Sequence, residues 1–314
     1  MRGRESPGAP LRRLALGVAL LAPAAPAKGC DAFWDALELP RPGTGPLSRS
    51  SDDDVPDEEP PAPASSATGK VGKTTPAVPK GVIDLGIAFY PKDDPKLAPA
   101  QIQFTASALS PSKYAVGYRL IPDEATAVGT FYAKYAKSVG YEKLEGDRFR
   151  WSPPKGCPSD MRCVYQELVK RTREDIEAIT DRFRARIKAQ KLSSLQATEL
   201  ALAYVQFIPY KLPDDPFGLK PSPLVASQRQ GDCDSKSLLL YLILKSIGVD
   251  AVIVSSQAHA HTMVGVNLPV SGTTFTSNGH KYAFAEVTAE AAPLGYMNPQ
   301  MKSPNDWRVE FDEP

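Results

Sequence analysis

The sequence predicts an α+β fold, on three observations. Residues 81–151 contain short runs rich in β-branched and aromatic residues, divided by Pro and Ser. After Cys163 the apolar spacing becomes helical. One solidly apolar stretch, 238–244, then leads into several strand-like segments. A lone buried helix feeding a run of strands is the mark of segregated layers, not of alternating βαβ units.

The head of the chain carries no core. Arg2, Arg4, Arg12 and Arg13 precede an apolar run over 14–22, and small residues follow to Ala27. Spanning a bilayer takes about 20 apolar residues, so 1–29 reads as a signal peptide. Two cleavage points compete. Ala25-Pro26-Ala27 is A-x-A-like, whereas Ala27-Lys28-Gly29-Cys30 resembles a lipoprotein box, with Cys30 lipidated and serving as a membrane tether. Both place the mature protein in the periplasm or cell envelope. Residues 30–80 are rich in Pro, Ser, Gly and Ala and include the acidic SDDDVPDEEP at 51–60. Such a composition buries too little apolar surface to offset ordering entropy, so a disordered linker is expected. The net charge of +1, from 37 basic and 36 acidic residues, speaks against a nucleic-acid partner.

Three strands are expected over 82–90, 101–109 and 114–121, then a helix over 127–140 with Gly140 as its stop. YEKLEGDRFRW, 141–151, reads as a hairpin turning at Glu145-Gly146-Asp147. Residues 81–155 thus form a small α+β N-terminal extension without a chemical motif. Cys157 and Cys163 bracket the loop CPSDMRC. An oxidising compartment favours a disulfide between them, and no metal is expected, because a zinc site needs four converging ligands that no spacing supplies.

The main domain is placed at 156–314. Ile176, Ile179, Phe183 and Ile187 share one helix face, and a second helix over 194–207 ends before Pro209. A loop over 210–223 leads to Gly231. Asp232 is the expected N-cap of the next helix, with Cys233 in its first turn and Gly248 as its C-terminal stop. Orphan N–H groups at that end favour a thiolate. Asp234 opposes this and Lys236 partly offsets it. By itself a cysteine so placed is more often a structural thiol.

A thiolate nucleophile needs a base, and the base an orienting group. The histidines are His259, His261 and His280. In an alternating strand His261, Met263 and Gly265 share a face, and His259 has the same parity, so alternation does not choose between them. A strand over 282–288 carries Glu286 among apolar neighbours, where a carboxylate requires a partner.

Taken in order, G-D-C-D-x-K at 231–236, H-x-M-V-G-V at 261–266, Y-A-F-A-E-V-T at 282–288 and Leu294-Gly295 resemble the bacterial transglutaminase-like cysteine peptidase group. The upstream VQFIPY, 205–210, resembles that group's lead-in to its cysteine helix. The resemblance covers about 165–300. Two departures stand out: Glu-Val-Thr replaces the expected Glu-Thr-Thr or Asp-Pro-Thr, and LVASQRQ before the cysteine lacks an aromatic. The resemblance implies a papain-like core, with the cysteine helix packed on an antiparallel sheet. It assigns Cys233 as nucleophile, His261 as general base and Glu286 as the residue orienting the imidazole. Gln206 is the candidate oxyanion donor beside the Cys233 N–H, ahead of Gln228 and Gln230. Tyr210 and Trp151 are read as core residues before groove residues.

The function expected is an exported cysteine-dependent acyl transferase or hydrolase without cofactor. Its substrate would be a protein or peptide, with cell-wall peptide as one candidate. The alternative is an inactive transglutaminase-like module that binds such a peptide in the envelope.

Overall fold

The computed structural model describes residues 78–313, except 95–96, 98–100, 144–148, 153, 158–160 and 213–216. The signal segment, Cys30, the linker up to residue 77 and the turn at 145–147 lie outside the described residues.

The β-branched runs form strands β1 (Ile83–Tyr90), β2 (Gln101–Thr105) and β3 (Lys113–Leu120). β3 lies in the middle, parallel to β1 and antiparallel to β2. Its residues Tyr114, Ala115, Val116 and Tyr118 are buried in succession, as a central strand covered on both faces requires. Helix α1 (Pro122–Ser138) begins ahead of the expected 127. Pro122 supplies a preset φ in the first turn, and Asp123 and Glu124 complement the positive end of the dipole. Gly140 opens strand β4 (Gly140–Lys143), which pairs antiparallel with β5 (Phe149–Ser152). Cys157 and Cys163 are joined in a disulfide, with Cα atoms 5.6 Å apart.

Helix α2 (Arg162–Gln190) buries Val164, Leu168, Ile176, Ile179 and Phe183 along one face. It ends where Lys191 turns left-handed at φ 51° and returns its N–H to Ile187 O and Lys188 O. Ser193 and Gln196 form a reciprocal capping box at the start of α3 (Ser194–Gln206). A short helix α4 (Ser222–Gln228) stands where the sequence reading has the end of a loop. Its prolines sit at the N-terminal turn, where a missing N–H costs nothing. Asp232 then caps helix α5 (Cys233–Ser246) by accepting from Ser235 N at 3.0 Å. Residues 238–244 of α5 are buried on every side.

Strands β6 (Ala251–Ser256), β7 (His261–Val266), β8 (Thr274–Ser277), β9 (His280–Ala285) and β10 (Arg308–Phe311) form a second sheet. Its order is β10-β6-β7-β9-β8, and every pairing is antiparallel. The β8–β9 turn has positive φ at both Asn278 (49°) and Gly279 (79°), the type I′ hairpin geometry. The expected strand over 282–288 is corrected: β9 stops at Ala285, and Glu286 stands just past its end.

The architecture is therefore mixed α+β, with five helices and sheets of three, five and two strands among the described residues. The even-numbered side of β7, Val264 and Val266, faces the main hydrophobic core with α5. Met263, Val252, Val254 and Phe284 face a second core closed by Met297, Met301 and Trp307. The N-terminal sheet is continuous with the main core, which joins Leu85, Phe104 and Tyr114 to Leu238 and Val264. Phe104 and Tyr204 meet edge-on with ring centroids 5.8 Å apart.

Candidate active site

Cys233 opens α5 because Asp232 stops the preceding extended backbone and caps the helix. Cys233 is 7 % exposed and takes no part in a disulfide. One turn further on, Ser237 Oγ donates to Thr262 O at 3.2 Å. That bond ties the cysteine helix to the residue after His261, and Cys233 lies only about 6 Å back along the axis.

His261 opens β7, and its Nε2 lies 2.8 Å from Glu286 Oε2. Both side chains are only 2 % exposed. The other carboxylate oxygen, Oε1, accepts from Thr288 N at 2.7 Å and Thr288 Oγ1 at 2.6 Å. These bonds explain why β9 ends early: the Glu286 carboxylate draws the backbone of Thr288 out of the ladder. Burial alone would raise the Glu286 carboxyl, but the His261 charge and hydrogen bond and the two Thr288 donors outweigh it. Glu286 is held below the ordinary carboxylate range. An ionised Glu286 can only accept, so Nε2 carries the proton and Nδ1 keeps the lone pair.

The other histidines are engaged elsewhere. His259 sits in the turn before β7, not on the strand, with Nε2 3.2 Å from Asp306 Oδ2. His280 Nδ1 meets Asn267 Nδ2 at 3.1 Å on an exposed edge.

Gln206 is buried, and its Nε2 donates to Glu286 O at 2.9 Å and Ala292 O at 2.8 Å. An amide nitrogen has two hydrogens, and two carbonyls take both. Gln206 is thus a brace between α3 and the segment after β9, in place of the oxyanion donor expected from the sequence. Gln228 Oε1 accepts from Lys220 Nζ at 3.0 Å. Gln228 and Gln230 line a cavity of about 400 Å³ with Tyr132 and Lys211. Tyr210 forms an isolated parallel bridge with Gly231 beside the cysteine. The Trp151 side chain lies outside the described residues.

Two neighbours, Trp307 and Tyr165, escaped the sequence reading, and a third, Lys236, was read only as offsetting Asp234. Trp307 closes the histidine side, its ring centroid 6.1 Å from His259 and 6.2 Å from His261. Tyr165 lies near the cysteine end of α5. Burial first, then Asp234, Glu310, Cys233 and Asp232, push its phenol well above the ordinary value, so it stays neutral. Lys236 is fully buried, with Nζ donating to Ile208 O at 2.7 Å and Gln206 O at 3.2 Å. Glu-x-Thr beyond a strand and a lysine inside an apolar helix were the available signals. Nothing in the sequence marks Trp307, which arrives from the distant segment just before β10. No group of three metal-ligating side chains occurs among the described residues.

Chemically, the arrangement offers a helix-terminal thiol and an imidazole held in one tautomer by a buried carboxylate. Comparison of the chain with protein-family models, curated proteins and solved structures returned no match.

Proposed function

We propose that this protein is an exported, cysteine-dependent acyl-transfer enzyme acting on peptide or protein amides. The observation that carries the proposal is the buried His261–Glu286 pair, 2.8 Å apart, whose histidine opens the strand bonded to the cysteine helix. A histidine serving only to fill a core has no need of an ionised partner that itself accepts two further hydrogen bonds.

In the reaction, His261 Nδ1 takes the thiol proton as Cys233 Sγ attacks the substrate carbonyl carbon. The tetrahedral oxyanion is met by the Cys233 backbone N–H, in the helix turn where no intrahelical acceptor exists. Collapse breaks the C–N bond, and the imidazolium returns its proton to the leaving amine. A thioester remains. Water releases it as a carboxylate, or an amine as a new amide, with His261 again accepting the proton. Glu286 stays ionised throughout and stabilises the imidazolium. Export to an oxidising envelope is supported by the Cys157–Cys163 disulfide. The papain-like reading is supported by a buried cysteine-bearing helix packed on an antiparallel sheet.

The test is alkylation of the folded, non-reduced protein with iodoacetamide across a pH series, followed by adduct mapping. Selective labelling of Cys233 near neutral pH, slowed at least about a hundredfold in His261→Ala, is the expected result for a base-activated thiol. Labelling only after unfolding would overturn the proposal. Labelling that His261→Ala leaves unchanged would favour a peptide-binding module instead.

A further inference from the structure

Lys236 is an expensive residue for its position. Its side chain is wholly out of water, in the first turn of a helix whose following residues, 238–244, are all apolar or aromatic and buried. An apolar residue of equal volume would satisfy the core at lower cost. The ammonium has a defined task, however. It donates to Gln206 O and Ile208 O, carbonyls at the C-terminal end of α3, where the helix dipole is negative. Gln206 in turn spends both amide hydrogens on Glu286 O and Ala292 O. Glu286 then holds His261. Lys236 also lies one turn from Cys233 on the same helix.

We propose that Lys236 is a positioning residue of this site: its buried ammonium clamps the end of α3, sets Glu286 through Gln206, and keeps positive charge beside the Cys233 thiol. This rests on the acyl-transfer reading above and adds to it a charged link between the nucleophile helix and the carboxylate. The ionisable groups facing the ammonium are Glu286 and Glu290 from the segment after β9, and Cys233 and Asp232 from the start of α5. Burial lowers the lysine to about 7, against the pull of these four groups. The charge on the clamp therefore changes near neutrality, and with it the field at the thiol.

The experiment compares the pH profile of Cys233 alkylation in the wild-type chain, Lys236→Met, Lys236→Arg and His261→Ala, each checked by thermal melting. Removing the charge should move the lower limb of the profile up by about one unit, a roughly tenfold slower reaction near pH 6. Lys236→Arg, which keeps the charge, should restore the limb. A Lys236→Met profile that superimposes on a wild-type profile still dependent on His261 would overturn the clamp and leave the triad standing. A profile shifted by Lys236→Met but indifferent to His261→Ala would sink the triad and keep the charge effect. Should Lys236→Met fail to fold, ¹³Cε-lysine NMR of the wild-type protein decides. One lysine titrating near neutrality and moving on Cys233 alkylation is expected; every lysine titrating at its ordinary value would overturn the proposal.

Discussion

Glu286 shows how one side chain can serve both structure and chemistry. Its carboxylate takes three hydrogen bonds, from His261, Thr288 N and Thr288 Oγ1. A carboxyl held below its unfolded value lends stability that is complete above about 4.5 and is lost as pH falls through the depressed value. Glu286→Gln should therefore cost about 3 kcal/mol at pH 7, the scale of a broken buried pair. The gap to wild type should narrow as pH falls below 4.5, the ordinary value for this group. Urea unfolding at a series of pH values measures this; a gap independent of pH would refute it. The His261–Glu286 pairing was legible in the sequence through the family resemblance, because ordered motifs preserve residue identity and separation. The role of Gln206 was not, since which carbonyls meet an amide depends on where α3 ends relative to a segment 80 residues away.

At the scale of elements, the helices other than α4 were readable from their stops and periods, and the remaining misses fall where pairing decides. β8 is short and lies in a Gly/Ser/Thr/Asn-rich stretch, and it is a strand because the Asn278-Gly279 turn folds it back on β9. β10 has no local signature and is a strand because β6 offers it an edge. Gly265 has its own constraint. A Cβ there would stand 2.6 Å from the Phe275 ring and 2.9 Å from Val252. Gly265→Ala should cost about 2 kcal/mol through overpacking of the β7–β8 face. The penalty should shrink in a Phe275→Leu background, where the ring is gone, if this contact is its source. Chemical denaturation of the four proteins of that cycle provides the measurement. Equal penalties in both backgrounds would place the strain elsewhere.

Across the whole molecule, the N-terminal sheet and the cysteine helix share one core. Arg182 Nη2 reaches Ile87 O at 2.9 Å, Tyr118 OH donates to Asp175 O, and Phe104 packs on Tyr204. A chain beginning at residue 156 would leave the faces of α2, α3 and α4 that cover β1, β2 and β3 exposed to water. It should lose its cooperative thermal transition by circular dichroism and bind a hydrophobic dye. A sharp transition of native amplitude would show that the two parts fold independently. Among the described residues no helix is long and apolar enough to cross a membrane.

The sequence by itself determined the α+β class, the buried helix with its Asp232 cap, and the order of thiol, imidazole and carboxylate along the chain. These depend on local period, local capping and residue identity. Only the tertiary structure decided that Gln206 and Lys236 brace the His261–Glu286 pair from behind, and that His259 turns away to Asp306. It also joined the first sheet to the core of the second. Such outcomes depend on distant segments approaching within hydrogen-bond reach, which neither propensity nor spacing encodes.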